Sequence, residues 1–549
     1  MGLWLVAERT QFIERGRGYS YRTILRLEVQ LMDSRQTPRS FNLFIVNPAP
    51  DAERIQFSVS TPRALPVLAA ATPNADYIRK IRLVDQALEE FPFDEVQPGD
   101  LVGLSVYTSN VIYAYQMAER LREQGATVVF GGPHASIMPE EVIQHGDACV
   151  TGDAELVWGQ LLDDYSRGEM KELYKGGRVD PDSFTPARWD LLKLDKYLMA
   201  SVQTVRGCPK QCTFCSVWVQ DGQSPRVRAN DAILQEVKYL YRAGFRVILF
   251  ADDNFYPYTI QAIAKMEGEQ KALQEHGRQD RLDLLADLAR EIPDDMKFVT
   301  QITIEVAEDP EYLAAMKAAN IVGVLIGIEA VTPEGLKDTN KEWNFVGDEL
   351  VAKLNTIRTQ GSPFILGSII FGLESDTPES LDYTKQYART CGIALAQFVP
   401  MVPFPGTVDF ALMKRGKKNL KLKDPDYDFW LDPDHPRILY NHPNMNDEEL
   451  LQKVENAWSD FYSIPAIMKR SRGFGYKGWK AHLAFLVLSR GLFTRYRRHG
   501  LSSDSAVRGN KRRRFANLLG RVALKLMKRP PDADIAHAGT LQAELAKTS

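Results

Sequence analysis

The chain has 549 residues, 44% of them hydrophobic, 25% charged and 10% aromatic. This is ordinary globular composition and excludes collagen, a disulfide scaffold and wholesale disorder; at roughly 100–200 residues per domain it predicts about three domains. The net charge of −3, from 68 Lys and Arg against 71 Asp and Glu, gives no global reason to expect a nucleic-acid partner.

Residues 1–40 are Arg-rich without a strong period and read as an N-terminal extension. The opening text MGLWLVAERTQF is too soon charged for a signal peptide. From Phe41 short apolar runs alternate with helical text. FNLFIV (41–46), LVGLSV (101–106), ATVVFGG (126–132) and ACVTGD (148–153) are predicted strands, with an amphipathic helix over 113–123. Such alternation predicts βαβ units and a parallel sheet, which binds ligands beyond the carboxyl ends of its strands. A second series begins near Tyr197, with strands at 200–206, 246–252, 298–305, 323–329, 364–372 and 395–402. Six strands separated by helices predict a partial or full (β/α) barrel. Pro- and Asp-rich text at 423–443 marks a break before a helical, basic C-terminal region. The expected fold is α/β, with domains at 41–185 and 195–422 and a helical region at 423–549.

Five cysteines occur, and Cys208, Cys212 and Cys215 fall within eight residues as Cys-x3-Cys-x2-Cys just after a strand. An odd count with one tight cluster points to a metal in a reducing compartment rather than to disulfides. Structural zinc normally takes four Cys or His ligands, and no histidine lies between His145 and His276. Three thiolates on one loop leave an iron–sulfur cluster with one iron open to an outside ligand.

With Phe214 before the last cysteine, the motif resembles the radical S-adenosylmethionine superfamily. The resemblance extends to its cobalamin-binding subgroup through GDLVGLSVYTSN, FGGPHASIMPEEV, TGDAELVWGQLLDDY, ILFADDNF, VLIGIEA, NKEWN and VPFPGT, in order from about Phe41 to about Arg470. It implies a Rossmann-like cobalamin-binding domain before a radical barrel. It also implies a 4Fe–4S cluster on Cys208, Cys212 and Cys215, whose open iron binds S-adenosylmethionine and cleaves it to a 5′-deoxyadenosyl radical. Phe214 is expected beside the adenine. Asp252 and Asp253, at the end of a barrel strand, are expected to contact S-adenosylmethionine, as are Glu329 and, more weakly, Gln301 and Thr303. For cobalamin the expected residues are Thr108, Ser109 and Asn110, the pair Gly131-Gly132, and Gly152, Asp153 and Glu155. The chain lacks Asp-x-His-x-x-Gly, so the resemblance implies cobalamin without a protein histidine on cobalt.

The activity so implied is methylation of an unactivated carbon or phosphorus. Radical oxidation or ring formation, as in the anaerobic cyclase of bacteriochlorophyll synthesis, uses the same cofactors, and a non-catalytic cobalamin or S-adenosylmethionine carrier or sensor is the reading from another class. A small-molecule substrate and an external flavodoxin- or ferredoxin-type electron donor are expected partners; nucleic acid is not.

From Lys469 to Arg529 there are 18 Lys and Arg and one acid, Asp504. Two basic amphipathic helices are expected, GWKAHLAFLVLSRGLFTRYRR and FANLLGRVALKLMKR. They suit either docking on the barrel or an anionic membrane surface. Trp479, Phe485 and Phe493 lie in runs suited to burial. Membrane contact favours a lipid or isoprenoid substrate. No apolar run approaches the roughly 20 residues needed to span a bilayer, so the expected location is cytoplasmic, either free or peripheral at the inner membrane face.

Overall fold

The computed structural model describes residues 38–49, 58–473, 478–499 and 528–531. Residues 1–37 of the N-terminal extension lie outside them, as does most of the second basic helix expected at 515–529.

The first sheet is parallel and six-stranded, in the order β3-β1-β4-β5-β6-β7. Its strands are β1 (Phe41–Asn47), β3 (Ile78–Asp85), β4 (Leu101–Ser105), β5 (Thr127–Gly131), β6 (Ala148–Gly152) and β7 (Leu173–Gly177); β2 (Ser58–Ser60) belongs elsewhere. The continuous apolar runs form its centre because both faces are covered. Phe41, Leu43 and Ile45 pack with Trp158 and Leu161 on one face. Phe44 and Val46 pack with Ala114, Met117 and Leu121 on the other. The outer strands β3 and β7 escaped the sequence reading. IRKIRLVD carries charges at an edge, and LYKGG is short and glycine-ended.

The second sheet runs β15-β14-β13-β12-β11-β8-β2. Its strands are β8 (Tyr197–Val202), β11 (Val247–Phe250), β12 (Lys297–Ile302), β13 (Ile321–Glu329), β14 (Phe364–Phe371) and β15 (Leu395–Pro400); β9 (Val205–Arg206) and β10 (Arg226–Val227) form a separate antiparallel ribbon. β15 and β2 do not pair, so the barrel is partial. All six expected barrel strands are present. The seventh, β2, leaves the N-terminal region and pairs parallel with β8, Ser58 opposite Tyr197 and Ser60 opposite Met199. Phe250 stacks between Phe255 and Phe298, at 5.3 and 4.9 Å, inside the core.

A buried charge cluster locks β2 in place. Arg63 Nη1 lies 2.8 Å from Glu236 Oε1, which also accepts from Trp189 Nε1 at 2.9 Å, and Arg228 bonds Oε2. Burial by itself raises the Glu236 carboxyl, but the two guanidiniums outweigh it and hold it down at about 2.

After the barrel, the helix Asp447–Phe461 lays Leu450, Val454 and Trp458 on it, and Trp458 Nε1 donates to Phe398 O at 2.7 Å. The helix Trp479–His499 buries Phe485 and Phe493 as expected, but Trp479, at the helix start, is 70% exposed. Lys528 and Arg529 do not continue a helix. They pair as an extended segment with Phe245 and Gly244, where only glycine admits Arg529 O, 2.2 Å from a would-be Cβ.

Removing Glu236 leaves two buried arginines uncompensated. Glu236→Ala is expected to cost about 3–5 kcal/mol of stability, measured by denaturant unfolding. Because the folded carboxyl is depressed, its contribution is present above the unfolded carboxyl's pKa and is lost as pH falls toward about 2.

Candidate active site

The carboxyl ends of the first sheet face the root of the cysteine loop, and buried ion pairs close the seam. Arg206, at the end of β9, lies 2.8 Å from Asp153 and 2.6 Å from Glu155, both just beyond β6. Arg226 on β10 lies 2.5 Å from Asp153. Burial alone would raise the Asp153 carboxyl, yet Arg206 and Arg226 bring it below the ordinary range. Helix Pro133–Ile137 of the first unit also touches helix Val217–Gln220, which follows the cysteine loop.

Gly207 starts the loop at φ +90°, where a Cβ would stand 3.0 Å from Gly222 O. Its N–H donates to Asp253 Oδ2 at 2.7 Å, and Cys208 N–H donates to Gly222 O at 3.0 Å. Cys215 N–H donates to Cys212 O at 3.2 Å, and Trp218 Nε1 donates to the same carbonyl at 3.0 Å. Thr213 N–H bonds Thr339 O at 3.1 Å, and Asn340 Nδ2 bonds Gln211 O at 2.8 Å. The loop is therefore fixed from both sides before any metal arrives.

Burial pushes the Cys208 thiol up to about 11 and Cys215 up to about 12, and raises Cys212. The negative charge of Cys212 adds to the rise at both neighbours. A bound cation would reverse this by ionising the thiols. Among the described residues, no three His, Cys, Asp or Glu groups converge as around a single ion. Cys149 and Cys391 are buried elsewhere, their sulfurs 3.6 Å from the carbonyls of Ala135 and Ala388.

The adjacent acids have separate places. Asp252 is engaged within the fold. It is wholly buried, takes the N–H groups of Thr204 and Val205 and the Thr204 hydroxyl, and lies 3.8 Å from Arg281. Asp253 stands beside the loop, where burial, then the charge of Asp221, push its carboxyl up to about 7. Gln301 Nε2 donates to Asp252 O at 2.5 Å. Phe214 is half-buried between Cys212 and Cys215.

Glu329 ends β13 at φ +61° and lies 3.1 Å from Lys341 Nζ, which also donates to Gly327 O at 2.7 Å. Gly327 is required here, since a Cβ would fall 2.1 Å from Glu329 Oε1. The aromatic face of Trp343 lies 4.3 Å from Lys210 Nζ, itself 2.5 Å from Glu305. NKEWN (340–344) thus supplies the partners of this wall. Around it, Thr303 Oγ1, Asn254 Nδ2 and Asn344 Oδ1 are buried without a hydrogen-bond partner. Such orphans are costly alone, and a polar ligand such as S-adenosylmethionine would satisfy them.

In the first sheet's crevice, several of the expected residues also serve the fold. Asn110 Oδ1 accepts from Tyr107 N–H at 2.7 Å, and its Nδ2 donates to Pro48 O at 3.0 Å. Gly152 is needed because Gly177 O would sit 2.5 Å from its Cβ, and Glu155 is taken by Arg206. Gly132, at φ +100°, lets Val106 O approach to 2.9 Å of a would-be Cβ. A Cβ at Gly131 would meet Val150 at an ordinary contact distance of 3.9 Å, Ser109 is exposed and Thr108 is half-buried. These three leave backbone and hydroxyls open at the strand ends, as a corrin with a nucleotide tail requires. Tyr107 joins them. Its ring is exposed, yet its surroundings raise the phenol pKa by desolvation, as on the wall of a cleft.

The Radical SAM superfamily model matches residues 202–388, and the B12 binding domain model matches residues 57–162. The chain is 25% identical over 440 residues to bacteriochlorophyllide d C-12(1)-methyltransferase of Chlorobaculum tepidum, covering 78% of this chain and 89% of that one. It is 26% identical to hopanoid C-2 methylase of Rhodopseudomonas palustris, covering 63% of each. In fold it is similar to the cobalamin-dependent S-adenosylmethionine radical enzyme OxsB with aqua-cobalamin bound. There the TM-score is 0.60 at 12% identity, covering 95% of this chain and 82% of that one.

Cys208, Cys212 or Cys215 changed singly to Ala is expected to abolish the brown absorbance and iron content of anaerobically reconstituted protein. Cys149→Ala and Cys391→Ala should retain both. Iron assay alongside absorbance checks this.

Proposed function

The chain belongs to the cobalamin-binding subgroup of the radical S-adenosylmethionine enzymes, and from that premise we propose that it methylates an unactivated carbon of an apolar small molecule. The observation that carries the reading is the seam of Arg206 and Arg226 with Asp153 and Glu155. It holds the cysteine loop beside the carboxyl ends of the first sheet's strands, the proximity that transfer between two cofactors and one substrate requires.

When bound, the cluster supplies the electron that cleaves S-adenosylmethionine, and cobalamin supplies the methyl group. Cys208, Cys212 and Cys215 hold the cluster. Asp253, Thr303 and Asn344 offer polar groups to S-adenosylmethionine, and Lys341 holds Glu329 beside them. Thr108, Ser109 and Gly131 receive cobalamin. The sequence has no second cysteine cluster, so the electron comes from an external carrier of flavodoxin or ferredoxin type.

An apolar substrate is supported by large hydrophobic side chains left exposed near the strand ends. Tyr107 and Leu156 belong to the first unit, Val219 and Phe404 to the barrel. The named relatives act on a bacteriochlorophyllide and a hopanoid, both large ring systems. Anaerobic protein given dithionite, cobalamin, S-adenosylmethionine and such candidates is expected to form 5′-deoxyadenosine and a product heavier by one methyl group. An oxidised or cyclised product of unchanged carbon count would overturn methyl transfer. No 5′-deoxyadenosine with any candidate would favour a carrier or sensor.

The same reading places the enzyme at an anionic membrane surface. Among the described residues, no helix is long and apolar enough to cross a membrane. From Lys469 to His499 there are nine Lys and Arg and no Asp or Glu. The outward side of helix Trp479–His499 presents Trp479, Leu483 and Leu488, the last 51% exposed. Apolar insertion with basic flanks suits an anionic bilayer, each Lys or Arg contributing about 1 kcal/mol. The protein is expected to float with phosphatidylglycerol vesicles and not with phosphatidylcholine vesicles. Leu483→Glu with Leu488→Glu should reduce the recovery without lowering the melting temperature. Equal recovery of the variant defeats this role.

A further inference from the structure

His134 is wholly buried one residue into the helix that follows the Gly131-Gly132 pair. Its backbone N–H donates to Val106 O at 3.0 Å, a packing that Gly132 permits. The ring lies between two groups. Nε2 is 3.3 Å from Glu141 Oε1, and Nδ1 is 3.1 Å from Thr108 Oγ1. Glu141 Oε1 also accepts from Tyr115 Oη at 2.6 Å, and its Oε2 accepts from Trp430 Nε1 at 2.9 Å. Burial by itself raises the Glu141 carboxyl, but its bonds to His134, Tyr115 and Trp430 bring it below the ordinary carboxylate range. It is an anion that only accepts.

That fixes a direction. In a neutral imidazole one nitrogen donates and the other accepts. The nitrogen facing Glu141 must carry the hydrogen, because the other tautomer sets a lone pair against a carboxylate in a buried site. Nδ1 is then the acceptor, and the Thr108 hydroxyl spends its hydrogen on it. Thr108 is left with oxygen lone pairs in the loop that follows β4 (Leu101–Ser105), beside Ser109.

We propose that the His134–Glu141 pair sets the polarity of the Thr108 hydroxyl, so that Thr108 accepts a hydrogen bond from a carboxamide N–H of bound cobalamin. The inference rests on cobalamin binding in this crevice. Thr108 is the group that touches the cofactor, and His134 is a positioning residue that acts through it. Trp430, from the segment after the barrel, closes the same carboxylate from the far side, so the second unit also holds the direction.

The test is hydroxocobalamin affinity of full-length, cluster-reconstituted protein, read by its absorbance after equilibrium dialysis. Thr108→Val is expected to weaken binding about five- to tenfold, the scale of one lost hydrogen bond. Thr108→Ser, which keeps the hydroxyl, should stay within about twofold. His134→Gln, which can present either a donor or an acceptor, should weaken binding, and the double variant Thr108→Val/His134→Gln should bind no worse than Thr108→Val. Iron content and melting temperature of each variant report whether it folds; if His134→Gln does not, the two Thr108 variants decide. Wild-type affinity in Thr108→Val, or losses that multiply in the double variant, would overturn the proposal. Failure of wild-type protein to bind cobalamin would instead remove its premise.

Discussion

The charge cluster at the seam, Arg206 and Arg226 against Asp153 and Glu155, is the constraint from which the rest follows. Four ionised groups are withdrawn from water there, which costs several kcal/mol per ion before any attraction is counted. Their mutual geometry offsets that cost only if every partner is present, so the arrangement stabilises little as a whole but tolerates no single loss. Its effect is positional. Arg206 stands two residues before Cys208, and Asp153 directly follows the strand that ends at Gly152. The cluster loop and the crevice of the first sheet are thereby held in one frame, at a precision that separate domains joined by a linker do not reach.

Inside that frame, carboxylates divide by whether a partner neutralises them. Asp252, Glu236 and Asp153 are buried with cations or several N–H donors and serve as fixed struts. Asp253 lacks such a set. It has one N–H from Gly207 and the repulsion of Asp221, and its carboxyl rises to about 7. The uncompensated polarity of the site, at Asp253, Thr303, Asn254 and Asn344, gathers at the barrel mouth.

The legible part of this architecture was what repeats locally. Buried parallel strands show as apolar runs, and a cysteine triplet shows by spacing, so all six barrel strands and the metal loop were readable. Edge strands were not, since β3 and β7 mix charge or glycine with their apolar residues and gain strand form only from a neighbour. The role of Asp252 was unreadable for a related reason. Two adjacent acids are equivalent in text, and only the fold turns one toward Thr204 and Arg281. Lys341, Arg206 and Trp430 act on residues 12, 51 or more, and 289 positions away, distances over which no local pattern carries a signal. At Gly152 the glycine also admits the backbone of the neighbouring strand β7, a requirement that no local pattern shows.

Three ties of different chemistry join the two sheets. The strand Ser58–Ser60 crosses from the first unit to the edge of the barrel. The arginines bridge at the cysteine loop. Trp430 returns from beyond the barrel to Glu141. A hinge opens about one line of contact, but these three lie at the barrel edge, at its mouth and after its last strand, so no single axis releases them together. Opening the cavity by separating the units would break a strand pairing and a buried ion cluster at once, a cost near the whole stability of a domain. The strand ends of the two sheets are thereby held at one fixed spacing.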